Sequence, residues 1–165
     1  MKKYILLISF ANIIYAGNYI DSISLSIGKS KESIKIYRLS AKKEFKAKWF
    51  QSSYGYISGY YESSFNYFNG KNSIYGFSIS PVFAYYFNTK LNPFIEAGIG
   101  ASYFNKKHIN SRDLSTNFLF ENRIGVGARY KNLEFSFRFM HYSNGGIKKP
   151  NDGIDIWIGA VSYRF

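Results

Sequence analysis

The sequence predicts an all-β fold, an eight-stranded antiparallel transmembrane β-barrel, on three observations. The 165 residues include 16 Tyr, 16 Phe and 2 Trp, yet mean hydropathy is only −0.22. Apolar and polar residues alternate with period two through most of the chain, which is the pattern of strands with two unlike faces. In a barrel whose lipid-facing residues alternate with inward ones, that pattern also hides the membrane span from average hydropathy. The last residue is Phe165, with Tyr163 and Val161 in phase before it, as in the closing strand of bacterial outer-membrane proteins. The aromatic content excludes disorder. No run of about 18 apolar residues exists, which excludes a helical span. There is no Cys, hence no disulfide framework and no thiolate metal site.

Taken in order, residues 1–16 come first. Lys2 and Lys3 precede an apolar stretch from Tyr4 to Ala16, the layout of a secretory signal peptide ending at a small residue. An N-terminal core strand is the alternative. Residues 17–165 then form the barrel, and losing the two lysines lowers the formal net charge from +12 to +10. Strands are expected at about 19–28, 34–45, 53–64, 74–87, 93–104, 116–130, 132–143 and 153–165. In the first, Ile23, Leu25 and Ile27 alternate with serines. The second and third alternate less cleanly. The fourth carries Tyr75, Phe77, Ile79, Phe83, Tyr85 and Phe87 in phase, and the fifth Ile95, Ala97, Ile99, Ala101 and Tyr103. The sixth has Phe118, Phe120, Ile124, Val126 and Tyr130, the seventh Leu133, Phe135, Phe137 and Phe139. The eighth is apolar on both faces through Ile154, Ile156 and Ile158. Apart from FKAKWFQS (45–52), the even-numbered breaks are short and the odd ones longer, as expected of a barrel with short turns on one rim and long loops on the other.

Charges separate by face. Glu62, Glu96, Glu121, Arg123, Arg129 and Arg138 fall on the phase opposite the apolar residues. In a narrow barrel that phase fills the interior, so both signs together predict a paired polar plug rather than a pore. The long-loop side carries Lys29, Lys31, Lys71, Lys106, Lys107, Arg112, Lys148 and Lys149 against Glu32, Asp113 and Asp152. That excess suits a phosphate-rich surface such as lipopolysaccharide, and ordinary solvated loop charge is the other reading. A signal peptide and a lipid-facing wall argue against a nucleic-acid partner.

One constellation breaks the apolar face. His141 and Ser143 continue the phase of Phe135, Phe137 and Phe139, and Asp155 shares the phase of Trp157, Val161 and Tyr163. Polar side chains on a lipid face are costly unless they serve something. At about 3.3 Å per residue and a tilt near 40°, Asp155 lies roughly 25 Å above the C-terminus, at the top of the apolar band. Residue types assign the roles: Ser143 as nucleophile, His141 as base and then acid, Asp155 as the group that orients the imidazole. In the loop between, Asn151 offers a side-chain amide and Gly146 a backbone N–H to an oxyanion. His108 sits in a polar loop and is read as solvated.

The segment RFMHYSNGGIKKPNDGID closely resembles the active-site hairpin of the lipid A 3-O-deacylase family of outer-membrane enzymes. The family's H-x-S-N pattern falls on His141, Ser143 and Asn144, and its P-N-x-G stretch on Pro150, Asn151 and Gly153. The motif covers about 138–155; the signal and eight strands extend the likeness to the whole chain. The resemblance implies removal of the ester-linked 3-hydroxyacyl chain at position 3 of lipid A, without metal or other cofactor, at the bacterial outer membrane. It implies His141 and Ser143 as base and nucleophile, Asn151 and Gly146 as oxyanion site, and Asn144 beside them or shaping the turn. The family pattern has Glu where this chain has Asp155, and Asp152 is a less suitable substitute because it lies in the loop. Lipid A or lipopolysaccharide is the expected partner, and a homodimer is left open. The competing reading is a non-enzymatic eight-stranded barrel with a structural or adhesive role.

Overall fold

Alternation along the chain becomes a closed wall. The computed structural model describes residues 19–165; the expected signal peptide at 1–16 lies outside the described residues. Strands β1 (Ser22–Ser30), β2 (Lys35–Glu44), β3 (Gly55–Asn69), β4 (Ile74–Phe87) and β5 (Pro93–Phe104) are followed by two short strands, β6 (His108–Ile109) and β7 (Arg112–Asp113). Then come β8 (Phe118–Tyr130), β9 (Leu133–Ser143) and β10 (Ile154–Arg164). Eight of them close an antiparallel barrel in the order β1-β10-β9-β8-β5-β4-β3-β2, with β6 and β7 paired as a separate hairpin. The first and last strands meet through register pairs such as Leu25 with Val161, so the barrel leaves no sheet edge open.

The outward phase is aliphatic and aromatic, with Leu25, Phe65, Phe77, Ile95, Ile124, Phe135 and Phe137 each exposed by half or more. Tyr37, Tyr67, Tyr75 and Phe65 stack across β2, β3 and β4. Such a surface suits hydrocarbon as its solvent.

The inward phase divides into three levels. In the middle, the expected plug is present. Arg38 donates to Glu62 at 2.7 Å and to Glu121 at 2.7 Å; Arg123 reaches Glu62 at 2.8 Å, and Arg138 reaches Glu96 at 2.5 Å, all fully buried. Tyr142 donates to Glu121 and Tyr60 to Glu96. Removing one partner of such a buried pair costs about 3–5 kcal/mol, because the other charge stays desolvated. Toward the outer end the filling turns apolar: Ile36, Phe68, Ile74, Phe104, Leu119, Met140, Ile154, Ile156 and Ile158 form one cluster. This explains why strand β10 is apolar on both faces. Ile109 and Leu114, from the β6–β7 hairpin and the chain after it, complete the cluster, so the hairpin stoppers the barrel. At the other end Ala84, Tyr86 and Phe94 pack with Tyr56.

Two expectations change. Residues 66–69, read as part of a break, belong to β3. The inward Asn66 satisfies its amide on Arg38 and Ser78, so a polar residue there marks the plug and not a turn. The connections at 31–34 and 70–73 are tight, and the long outer ones are 105–117 and 144–153. Length is thus concentrated over the β8–β10 part of the wall.

Candidate active site

The site begins with register. On β9 and β10, His141 stands directly opposite Asp155. Both occupy the outward phase, since their neighbours Met140, Tyr142, Ile154 and Ile156 are buried inside. Directly opposed residues on one face bring their Cβ atoms within about 5 Å, so even the shorter acid reaches the ring. His141 Nδ1 and Asp155 Oδ1 lie 2.6 Å apart, with side chains 39% and 56% exposed. A carboxylate at Nδ1 requires the proton there, leaving Nε2 as the free base.

Ser143 follows His141 by two residues on the same strand face, at the end of β9, and is only 8% exposed. Among the described residues the imidazole's side-chain hydrogen bond is the one to Asp155, and Ser143 is not bonded to the ring. Gly153 closely approaches the Cε1 edge of the ring. A Cβ there would stand 3.0 Å from His141 Cε1, and its φ is +61°. Both the tight approach and the left-handed backbone call for glycine at this position.

The loop above Ser143 is organised by Asn144, which is fully buried. Its Nδ2 donates to the carbonyls of Leu114 at 2.9 Å and Lys148 at 2.7 Å, and its Oδ1 accepts from the Gly146 N–H at 2.9 Å. So enclosed, Asn144 shapes the turn and is not positioned to touch substrate. The Gly146 N–H, expected for the oxyanion, is committed to Asn144 in this structure. Asn151 is arranged differently. Its Oδ1 accepts from the Asn144 N–H at 3.0 Å, which fixes the amide's orientation and leaves its Nδ2 hydrogens to donate elsewhere.

Two features of the site escaped the sequence. Asn122 of β8 faces His141 in register, so a third polar residue joins the outward row Asn122–His141–Asp155. It is polar in the otherwise apolar phase of Phe118, Phe120, Ile124 and Val126, and that interruption was its signal. Phe120 pairs with Ser143 and sits under Gly145. The second feature is a latch between the β6–β7 hairpin and the loop. Arg112 donates to the Asp152 carbonyl at 3.0 Å, the Asp113 N–H to Asp152 Oδ2 at 2.7 Å, and Ser115 Oγ to the Pro150 carbonyl. Arg112 also pairs with Glu32. Burial pushes the Glu32 carboxyl up, but Arg112 and hydrogen bonds from its own backbone and Ser30 outweigh this and hold it below its usual range. His108 is exposed, as its polar loop suggests, and its Nε2 lies 3.2 Å from Asp113. Nothing local in the sequence joined 112–115 to 150–152.

Below the row, Gly159 faces outward with open space where a side chain would stand, between Ile27 and Phe137 in register. The result is an apolar furrow whose walls include Leu25, Ile27, Phe135, Phe137 and Val161. Among the described residues no three His, Cys, Asp or Glu side chains gather as a metal-ligand cluster.

The chain is similar to known proteins over most of its length. The family model for lipid A 3-O-deacylase (PagL) matches residues 35–164. The lipid A deacylase PagL of Pseudomonas aeruginosa is 34% identical over 163 residues, 94% of this chain and 94% of that protein. The Bordetella bronchiseptica lipid A deacylase PagL is 37% identical over 73 residues, covering 44% of this chain and 41% of that one. The crystal structure of the outer-membrane enzyme PagL superposes with a TM-score of 0.85 at 33% identity, over 87% of this chain and 99% of the other. The Yersinia pestis outer-membrane protein Ail, at 12% identity and a TM-score of 0.52, shares the fold alone.

Proposed function

Because the chain belongs to the lipid A 3-O-deacylase family, we propose that it hydrolyses the ester-linked 3-hydroxyacyl chain at position 3 of lipid A, through Ser143, His141 and Asp155 on the lipid-facing wall of an outer-membrane barrel. The observation that carries this reading is the direct cross-strand His141–Asp155 pair on the outward face, with Ser143 two residues along. A paired imidazole and carboxylate in that position have no packing purpose, since the plug that stabilises the barrel is inside.

Ser143 Oγ attacks the ester carbonyl carbon while His141 Nε2 takes its proton. Asp155 keeps the ring in the right tautomer and stabilises the imidazolium. The tetrahedral oxyanion accepts from Asn151 Nδ2, and a donor of this kind contributes about 10²–10³ in rate. Gly146 adds its N–H only if it releases Asn144. Collapse breaks the bond to the sugar oxygen, which takes the proton from His141. Water, deprotonated by His141, then attacks the acyl-enzyme, returning Ser143 and releasing the hydroxy fatty acid. The furrow outside Gly159 offers the acyl chain an apolar bed.

The test is the mass of lipid A from cells expressing the folded protein in their outer membrane. The spectrum is expected to show loss of one 3-hydroxyacyl chain. An unchanged mass, with the barrel folded and inserted, would favour the non-enzymatic barrel.

A further inference from the structure

Beside the site, the wall carries an arrangement that strands normally avoid. Lys29, near the end of β1, stands directly opposite Lys35, the first residue of β2. Both are exposed, on the same face as Ile27 and Tyr37. Like charges directly opposed across a strand pair are destabilising. The carboxylates closest to them in the chain and across β10 are engaged elsewhere: Glu32 with Arg112, Asp155 with His141. Among the described residues neither lysine has an acidic partner within ion-pair distance. Lys31, also exposed, adds a third positive charge at the turn. The pair sits at the outer ends of its strands, where the apolar wall gives way to headgroups, and lysine stems there lift their ammonium groups toward the interface.

Position ties this pair to the chemistry. Lys29 is in register with Trp157 of β10, and Trp157 with Phe139 of β9. Lys29 is therefore two strands across and four residues along from Ser143, about 16 Å between Cα atoms. Extended lysine stems shorten that gap to the scale of a phosphorylated diglucosamine headgroup.

We propose that Lys29 and Lys35 form a clamp for a phosphate on the lipid A headgroup whose ester lies at Ser143. A phosphomonoester carries about −1.5 to −2 charges at neutral pH, enough to turn the repulsion between the lysines into a shared attraction. The clamp rests on the deacylase reading for its substrate and goes beyond it in fixing where the headgroup sits. It orients the sugar across β10 toward β2.

The experiment compares the wild-type barrel with Lys29→Gln/Lys35→Gln in neutral detergent micelles, on lipid A with its phosphates and on dephosphorylated lipid A. The double variant is expected to lose about tenfold in kcat/KM on the phosphorylated substrate, mainly through KM, as befits two exposed charge contacts. The two proteins should behave alike on the dephosphorylated one. Equal KM values on the phosphorylated substrate would overturn the clamp, and so would an equal loss on both substrates. Thermal unfolding supplies a readout that needs no turnover. Without phosphate the double variant should be at least as stable as wild type, and phosphorylated lipid A should raise the wild-type Tm more than the variant's. A shift of the same size in both proteins would also overturn it. Failure of the wild type to cleave either lipid would instead refute the deacylase reading, with the unfolding data still deciding the clamp.

Discussion

Ser143→Ala and His141→Ala are each expected to reduce release of hydroxy fatty acid from lipid A by roughly 10⁴-fold or more, because nucleophile and base act as one unit. Neither side chain belongs to the plug or the inner clusters, so both variants should keep the barrel. Folding is checked by the heat-dependent shift in electrophoretic mobility of closed barrels, and activity by fatty-acid release from lipid A vesicles. Near-normal activity in either folded variant would refute the assigned roles. Combining the two substitutions should cost little more than either alone, as expected when both groups serve one step.

Asp155→Asn is the second large effect, expected to cost about 10³–10⁴ in kcat, since an amide at Nδ1 favours the wrong tautomer. Its size and shape are nearly unchanged, so the loss would be chemical and not structural. Asp155→Glu separates charge from reach. The direct register of residues 141 and 155 lets the short acid arrive at 2.6 Å, and a longer one can fold back to the same nitrogen. Activity within about tenfold of wild type, or above it, is therefore expected. Full inactivation by Glu would mean that the site is tuned to aspartate, and undiminished activity in Asp155→Asn would remove the carboxylate from the mechanism.

Much of this was legible in the chain because period two has only two phases. Once Phe135, Phe137 and Phe139 define the outward face, His141 and Ser143 must share it. Glu62, Glu121 and Arg138 must then turn inside, where Glu62 and Glu121 both pair with Arg38 and Arg138 pairs with Glu96. Long-range contacts of loops carry no such periodicity. The tie from Arg112, Asp113 and Ser115 to residues 150–152 spans 35 to 40 positions, and neither end announces the other. Asn66 was hidden for a different reason, since a polar residue that fills a plug looks the same in sequence as one that opens a turn. The commitment of the Gly146 N–H to Asn144 depends on loop geometry at Gly145 and Gly146, both at positive φ, which residue identity permits but does not impose. Lys29 was read as loop charge because β1 runs two residues further than its serine alternation suggested, to Ser30. Only the cross-strand register reveals that it faces Lys35.

Catalysis is expected to run through an outward-facing Ser143 made nucleophilic by His141. A lipid-soluble fluorophosphonate, applied to the folded barrel in detergent and followed by peptide mass mapping, tests it most directly. One covalent adduct is expected, on Ser143, appearing in step with loss of deacylation and strongly slowed in His141→Ala. Deacylation that survives full modification of Ser143, or inactivation by an adduct on another residue with Ser143 unmodified, would contradict it.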